Sequence, residues 1–144
     1  MFRQLTDTVF ASPQIGHDEL ALAAASGFAL IINNRPEDES ADQVPGAEIE
    51  VAARAAGMGY VAIPVTHAGF SEPQVAAMAA ALASAEAGKV LAYCRSGTRS
   101  TLLWALAEAS RGVDPDELAE AAAGAGYDLG PVRALIDMLA ARTP

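Results

Sequence analysis

Residues 89–106 of the chain read "KVLAYCRSGTRSTLLWAL" and contain its only cysteine, Cys94. The thiol stands between a short apolar run, typical of a buried strand, and a segment that has the composition of a helix. Six polar, charged or flexible residues follow it directly: Arg95, Ser96, Gly97, Thr98, Arg99 and Ser100. A cysteine that only fills a core needs no such neighbours, so this segment directs the interpretation of the fold and of the function.

Along the rest of the chain, short apolar runs typical of strands alternate with segments that have a helical pattern. The predicted strands cover residues 8–12, 28–33, 60–65 and 90–93. The predicted helices cover residues 17–26, 47–58, 74–88 and 101–109, with two more between 114 and 142 that separate at 124–130. This alternation predicts an α/β fold with a mostly parallel central sheet flanked by helices. Ligands of such sheets bind beyond the carboxyl ends of the strands, and Cys94 directly follows the strand 90–93.

Capping residues mark several of these boundaries. Gly27 is predicted to end the first helix, and Ser71 and Pro73 are predicted to begin the helix at 74–88 as N-cap and first-turn residues. The glycine-containing stretch "GAGYDLG", residues 124–130, follows a helix and lacks the GxGxxG spacing. It is therefore not interpreted as a dinucleotide-binding loop.

The composition bounds the class of protein. With 144 residues, 52% of them hydrophobic and 19% charged, the chain is expected to form one globular domain over residues 1–144. Its net charge of -9 argues against a nucleic-acid partner or an anionic membrane surface. Any bound anion must then be attracted by a local arrangement of charges and dipoles.

The sequence has none of the patterns expected of a secreted, membrane-spanning or zinc-binding protein. The first residues lack the apolar stretch of a signal peptide, and no apolar run approaches the ~18 residues that span a bilayer, so we expect a cytoplasmic protein. One cysteine and two histidines argue against a disulfide and against a zinc cluster. We therefore expect neither a metal nor another cofactor.

The residues after Cys94 suit an anion-binding loop. A turn from a strand into a helix directs several unpaired N–H groups into one space, and Gly97 can take the positive φ that such a turn requires. The helix dipole, Arg95 and Arg99 add positive charge, which favours both an anion and the ionised thiolate. Hydroxyls can orient either of them; they belong to Ser96, Thr98 and Ser100. We therefore predict that Cys94 is a partly exposed nucleophile.

Two kinds of enzyme share features of this sequence. The segment "CRSGTRS", residues 94–100, resembles the active-site loop of rhodanese-type sulfurtransferases, in which an arginine stands five positions after the cysteine. Residues 12–40 resemble the opening of the dual-specificity-like branch of cysteine-dependent phosphatases, and "YVAIPV", residues 60–65, resembles the strand before their acid loop.

The combination most resembles a small bacterial family of phosphatase-like domains that are called beta-lactamase-hydrolase-like and described as sulfur transferases. The resemblance runs from about residue 4 to 109 and is most specific at the cysteine loop and at "NNRPEDE", residues 33–39. It implies a cysteine-phosphatase-like fold with Cys94 as nucleophile. It also implies a persulfide dioxygenase as a partner, because relatives in this family are sometimes fused to one.

Two departures from the phosphatase pattern favour sulfur chemistry. Phosphatases of this fold place the loop arginine six positions after the cysteine, where this chain has Ser100, and Arg99 comes one residue early. The loop that holds their aspartate general acid reads "THAGFSE", residues 66–72, and offers only Thr66 or His67 instead. A phosphate ester with a poor leaving group needs a proton donor, and a sulfane-sulfur donor needs one much less.

Three functions therefore remain open. In the first, Cys94 takes the sulfane sulfur of thiosulfate or of a persulfide, and Arg99 and the loop N–H groups hold the anionic substrate. In the second, the chain is a phosphatase that works through a phosphocysteine, with His67 or water as proton source. In the third, the loop is a non-catalytic module that binds an anion or a phosphoprotein.

Two further residues have both a functional and a simpler structural interpretation. His67 is a candidate catalytic acid, or else a loop histidine exposed to water. Arg35 follows a predicted strand and is a candidate supporting residue, or else it forms a surface ion pair with Glu37 or Glu39. Trp104 is expected in the core.

Overall fold

A computed structural model describes residues 1–85 and 88–142 and shows a five-stranded sheet. The strands are β1 (Arg3–Gln4), β2 (Val9–Ser12), β3 (Phe28–Asn33), β4 (Gly59–Ala62) and β5 (Lys89–Tyr93). Their order is β1-β2-β5-β3-β4, and all neighbours pair in parallel except β1 with β2. The predicted mostly parallel sheet is thus confirmed, and β5, which leads to Cys94, is its central strand.

Helices cover both faces of the sheet. They are α1 (His17–Ala25), α2 (Gly46–Ala55), α3 (Glu72–Ser84), α4 (Thr98–Ser110), α5 (Pro115–Gly124) and α6 (Arg133–Ala141), with a short 3-10 turn at Gly130–Val132. Alternate residues of β5 point to opposite faces. Leu91 and Tyr93 join the core beneath α1 and α2, and Val90 and Ala92 join the core beneath α3, α4 and α6.

Helix α4 lies at the centre of the larger core. Most of its residues are buried, including Leu103 and, as predicted, Trp104. A helix that is apolar around most of its circumference must be enclosed, and α3, α5 and α6 pack around α4. Its N-terminus is thereby fixed against the sheet at the point where the cysteine loop enters it. No helix in the described part of the chain has the length and apolar character needed to cross a membrane.

Predicted boundaries differ from the observed ones mainly beside the loops. Helix α4 begins at Thr98, three residues before the predicted start, because Gly97 at φ 92° lets the chain turn directly into the helix. Strand β4 ends before Pro64, and the short β1 was not predicted. Residues 86–87 of the helix predicted at 74–88 lie outside the described residues. The predicted cap of α3 is confirmed: the Ser71 hydroxyl accepts a hydrogen bond from the Gln74 N–H.

The chain follows β3 beyond the formal end of β4. The N–H groups of Ile63 and Val65 donate to the carbonyls of Asn33 and Asn34, at 2.8 and 2.9 Å. This extension carries the backbone of Val65 to the carboxyl edge of the sheet. Three segments that follow parallel strands therefore meet at this edge: the one after β3, the one after β4 and the cysteine loop after β5.

Candidate active site at the cysteine loop

The cysteine loop, residues 94–100, begins in the middle of the sheet edge. Tyr93 at the end of β5 pairs with Ser12 of β2 on one side and Asn33 of β3 on the other. The Cys94 N–H then donates to the Ser12 carbonyl at 3.3 Å. The thiol thus stands where ligands of parallel sheets bind, as the sequence predicted.

The outer side of the cysteine loop is formed by its carbonyl groups. The carbonyls of residues 95–97 each accept hydrogen bonds from outside the loop. The donors are the Gln14 N–H at 3.3 Å, the Tyr127 hydroxyl at 3.1 Å, and the Thr101 N–H and hydroxyl at 3.0 and 2.9 Å. On the inner side, the Gly97 N–H donates to Cys94 Sγ at 3.1 Å.

Several N–H groups of the loop and of the first turn of α4 carry no hydrogen bond to any described residue. They belong to Arg95, Ser96, Arg99 and Ser100. The first N–H groups of a helix have no partner within the helix, and the helix dipole makes this end positive. Unpaired donors at a helix N-terminus, next to a thiol, form an anion-binding arrangement.

Gly97 meets two separate demands of this loop. Its φ of 92° lies in the left-handed region, which confirms the predicted positive φ. A Cβ atom at this position would also overlap the hydroxyl of Tyr127. Glycine is therefore required here by backbone conformation and by packing.

The thiol itself is fully buried, so the prediction of a partly exposed Cys94 was wrong. The cysteine loop curls over its own first residue and brings the Gly97 N–H onto Sγ. A reagent or substrate reaches Sγ only when part of this cover moves.

Arg99 is oriented by two contacts outside the loop. Its Nη1 and Nη2 donate to Glu39 Oε2 and Oε1 at 2.7 and 2.8 Å, and Nη1 also donates to the Val65 carbonyl at 2.7 Å. The hydrogen bonds to Glu39 raise the pKa of Arg99, and the nearby Cys94 raises it further. The guanidinium also interacts with the Cys94 thiol, by charge and by a side-chain hydrogen bond, so an anion bound beside the thiol would meet N–H donors of Arg99.

Glu39 lies between two arginines. Besides its bidentate pair with Arg99, its Oε1 accepts a hydrogen bond from Arg35 Nε at 2.9 Å. The hydrogen bonds from Arg99 foremost, and then those from Arg35, lower the pKa of Glu39 from 4.5 to about 2, against the opposing effect of burial. Glu39 is therefore a carboxylate at every physiological pH.

Arg35 is a buried part of this network. Only 4% of it is exposed, and its Nη1 and Nη2 donate to Gln14 and Ser40 at 2.9 and 3.1 Å. The ion pair with Glu39 that the sequence suggested exists, but it lies beneath the surface and is shared with Arg99.

Residues 1–111 match the family model described as "Beta-lactamase hydrolase-like protein, phosphatase-like domain". The chain belongs to this family. A beta-lactamase hydrolase-like protein of Xylella fastidiosa (strain 9a5c) is 36% identical over 142 residues, which are 97% of this chain and 32% of that protein. The chain thus spans about a third of the length of the curated relatives it matches.

Solved structures agree with the family assignment. A crystal structure of a candidate phosphatase from Neisseria meningitidis has a TM-score of 0.83 and 33% identity, covering 96% of this chain and 97% of that one. The structure of PTPMT1 in complex with PI(5)P covers 99% of both chains with a TM-score of 0.75, and at 16% identity it shows a shared fold. The resemblance to cysteine phosphatases in fold is confirmed.

The remaining predicted site residues lie around the loop. Arg95, Ser96 and Thr98 are exposed, and the hydroxyls of Ser96 and Thr98 bond to each other at 3.0 Å. The Ser100 hydroxyl is buried and has no hydrogen-bond partner among the described residues. Their roles toward a ligand stay predictions.

His67 is not joined to the thiol by any hydrogen bond or ion pair among the described residues. It is exposed on the loop that follows Val65, two residues beyond the carbonyl that holds Arg99. Its catalytic role stays a prediction.

Two residues of the site were missed by sequence reasoning. Glu39 was considered only as a surface partner of Arg35, although its place in "NNRPEDE" could have pointed to the site. Tyr127 lies in the stretch at 124–130 that was set aside, and no local pattern connects it with the cysteine loop, 31 residues away from Ser96.

Replacing Glu39 by glutamine measures how much the ionised carboxylate, paired with Arg99 and Arg35, contributes to stability. We expect Glu39→Gln to lower the free energy of unfolding by about 1.5–3 kcal/mol at pH 7, because charge-assisted hydrogen bonds to two guanidiniums are lost. The folded-state pKa is depressed, so this contribution is present above pH 4.5 and disappears as the pH falls toward 2. Urea unfolding at several pH values measures it.

The matched control for this experiment is Glu48→Gln. Glu48 pairs with His17 on the surface, where both side chains are more than half exposed. Its replacement should change stability by less than about 0.5 kcal/mol. If Glu39→Gln lowered the free energy of unfolding equally at pH 7 and pH 3, the carboxylate would not be stabilised in its ionised form by the two arginines.

Replacing Gly97 by alanine separates backbone strain from packing. Gly57 has a similar φ of 85° with open space where a Cβ would stand, so Gly57→Ala carries the strain alone. We expect Gly57→Ala to cost about 1–2 kcal/mol and Gly97→Ala clearly more, because of the overlap with Tyr127. If both variants lost the same free energy of unfolding in urea, Tyr127 would be able to move away from the added methyl group without cost.

Proposed function

We propose that the chain is a cysteine-dependent sulfurtransferase with Cys94 as nucleophile. The observation that carries this proposal is the ionised state of Glu39, the carboxylate that contacts the loop arginine. Held by two guanidiniums, it has no proton to give at neutral pH. The site is thus suited to a reaction whose leaving group departs as an anion without protonation.

The transfer is balanced without an added oxidant. The Cys94 thiolate attacks the sulfane sulfur of thiosulfate, a new S–S bond forms, and the old S–S bond breaks with its electron pair leaving on sulfite. An acceptor thiolate then attacks the outer sulfur of the Cys94 persulfide and leaves as a persulfide, while Cys94 returns to the thiolate. A persulfide donor follows the same steps with a thiolate as the leaving group.

The loop supplies donors for the anionic end of such a substrate. Arg99 presents its guanidinium to the thiol, with which it already interacts, and the unpaired N–H groups of Arg95, Ser96 and Ser100 lie at the start of α4. Gly97 N–H already bonds to Sγ, which stabilises a negative charge on sulfur. In this proposal Ser96, Thr98 and Ser100 act mainly through their backbone, and Arg35 acts by holding Glu39.

Phosphate-ester hydrolysis is the second candidate, and the family and the fold favour it. The matching family is described as phosphatase-like, and the Neisseria meningitidis relative is described as a candidate phosphatase. In this reaction Cys94 would form a phosphocysteine, and His67 would protonate the leaving alkoxide. If neither reaction occurs, the loop is a binding module for an anion or a phosphoprotein.

The proposed thiol chemistry bears on where the protein works and with which partner. A free thiolate persists in a reducing compartment, so we propose that the protein works in the cytoplasm. We also propose residues 1–144 as one functional domain, with a persulfide dioxygenase as partner that consumes the product. The curated relatives are about three times longer than this chain, which leaves room for a second domain in them.

The mass of the protein after treatment with a sulfur donor tests the first candidate. With thiosulfate or glutathione persulfide we expect a gain of about 32 Da, one sulfur, on Cys94. Because the chain has one cysteine, the site of the adduct is unambiguous. Cys94→Ser should carry no adduct, and unchanged mass in the wild type with both donors would contradict sulfur transfer.

The variant His67→Ala separates the two enzyme reactions. Sulfur transfer needs no proton on its leaving group, so its rate should stay within about twofold of the wild type. Hydrolysis of an aryl phosphate, if present, should fall by about 10²–10⁴-fold when its general acid is removed. Robust phosphatase turnover without a sulfur adduct would reverse the order of the two proposals.

A further inference from the structure

Tyr127 contacts the cysteine loop from a part of the chain beyond the residues that match the family model, 1–111. It follows α5, and its hydroxyl donates to the Ser96 carbonyl at 3.1 Å. The hydroxyl also occupies the space beside Gly97 that a Cβ would need. The contact is thus made on the outer side of the loop, away from the unpaired N–H groups.

The carbonyl that Tyr127 binds and the N–H that binds the thiol belong to one peptide group. The carbonyl of Ser96 is bonded to the nitrogen of Gly97, and that N–H donates to Cys94 Sγ at 3.1 Å. Because a peptide group is planar, fixing its oxygen fixes the direction of its N–H. A hydrogen bond accepted by the carbonyl also strengthens the bond that the N–H donates.

This peptide group has reason to need a fixed orientation. It is followed by a glycine, which permits rotations of the preceding peptide that other residues resist. A rotated peptide would direct the Ser96 carbonyl oxygen toward Sγ, where its partial negative charge opposes a thiolate. The Tyr127 hydroxyl stabilises the orientation that directs the N–H toward sulfur.

Tyr127 is itself held in place. The Arg3 guanidinium lies 5.3 Å from the centre of its ring, and Arg3 Nη1 donates to the Ala125 carbonyl at 3.0 Å. Burial raises the pKa of Tyr127, and the nearby Cys94 adds to this while Arg3 opposes it. The hydroxyl therefore stays protonated and available as a donor.

We propose that Tyr127 is a positioning residue that holds the Gly97 N–H against Cys94 Sγ through the Ser96–Gly97 peptide. The inference rests on the proposed function in one respect, that Cys94 reacts as a thiolate. It is the same for sulfur transfer and for phosphate hydrolysis, because both begin with this thiolate.

The variant Tyr127→Phe tests the proposal, since it removes the hydroxyl and keeps the ring. The ionisation of Cys94 is followed by the chemical shift of its ¹³C-labelled Cβ against pH, a single signal because the chain has one cysteine. This readout needs no substrate and no access to the buried sulfur. We expect the midpoint to move upward by about 0.3–1 pH unit, a two- to tenfold smaller thiolate fraction below the midpoint.

Tyr60→Phe is the matched control. Tyr60 is also half-buried, and its hydroxyl bonds to Asn33 rather than to the cysteine loop. Its replacement should leave the Cys94 profile in place. Arg3→Met is a second variant, which keeps the hydroxyl but removes the cation over the ring; it should move the midpoint in the same direction by a smaller amount.

The outcomes separate this inference from the proposed function. An unchanged profile in folded Tyr127→Phe overturns the positioning role, whether or not the wild type forms a sulfur adduct. An equal shift in Tyr60→Phe overturns it as well, since the effect would then be general. A shift confined to Tyr127→Phe supports it even if the wild type forms no adduct, in which case the sulfurtransferase proposal alone fails. If Tyr127→Phe does not fold, Tyr127→Met decides, since it also removes the hydroxyl: an unchanged midpoint in that variant overturns the role.

Discussion

The bidentate ion pair between Glu39 and Arg99 connects the loop after β3 with the first turn of α4, across 60 residues of sequence. The carbonyl of Val65, after β4, holds the same guanidinium at 2.7 Å. Segments after three parallel strands thereby converge on one side chain. Without these contacts a long arginine side chain at a helix start would sample many rotamers, and the edge that it presents to the thiol would vary. The position of the Arg99 guanidinium beside the thiol thus depends on a carboxylate from another loop.

The balance of charge leaves a local positive charge at this edge of a chain whose net charge is -9. Arg35 is almost fully buried, and an unpaired guanidinium there would be costly. Glu39 compensates part of the charge of both arginines, and the set retains a single positive charge. That charge lies beside the positive end of α4 and its unpaired N–H groups. Because charges in water are screened over short distances, this local positive charge acts near the thiol in spite of the negative charge of the whole chain.

The sequence predicted those features that local patterns determine. Apolar runs predicted the strands, and Gly97 predicted the turn into α4. The spacing between Cys94 and Arg99 predicted the cysteine loop. What it could not predict depends on contacts between distant segments. The burial of Cys94 follows from how the loop folds over it, and the role of Glu39 follows from the meeting of two loops. Tyr127 reaches the loop only because α5 and the segment after it pack beside α4, which no pattern within 124–130 encodes.

The pairing that orients Arg99 also limits the chemistry of the site. A carboxylate fixed by two guanidiniums is a good positioning group and, for the same reason, a poor acid, because protonation would break the hydrogen bonds that place it. An alkoxide leaving group requires a proton in the transition state, whereas sulfite or a thiolate departs as a stable anion. Another proton donor, such as His67, would therefore have to approach for phosphate esters to be cleaved well. The proposed sulfur transfer would need no such donor, because the fixed cation, the unpaired N–H groups and the Gly97 N–H on sulfur all stabilise negative charge.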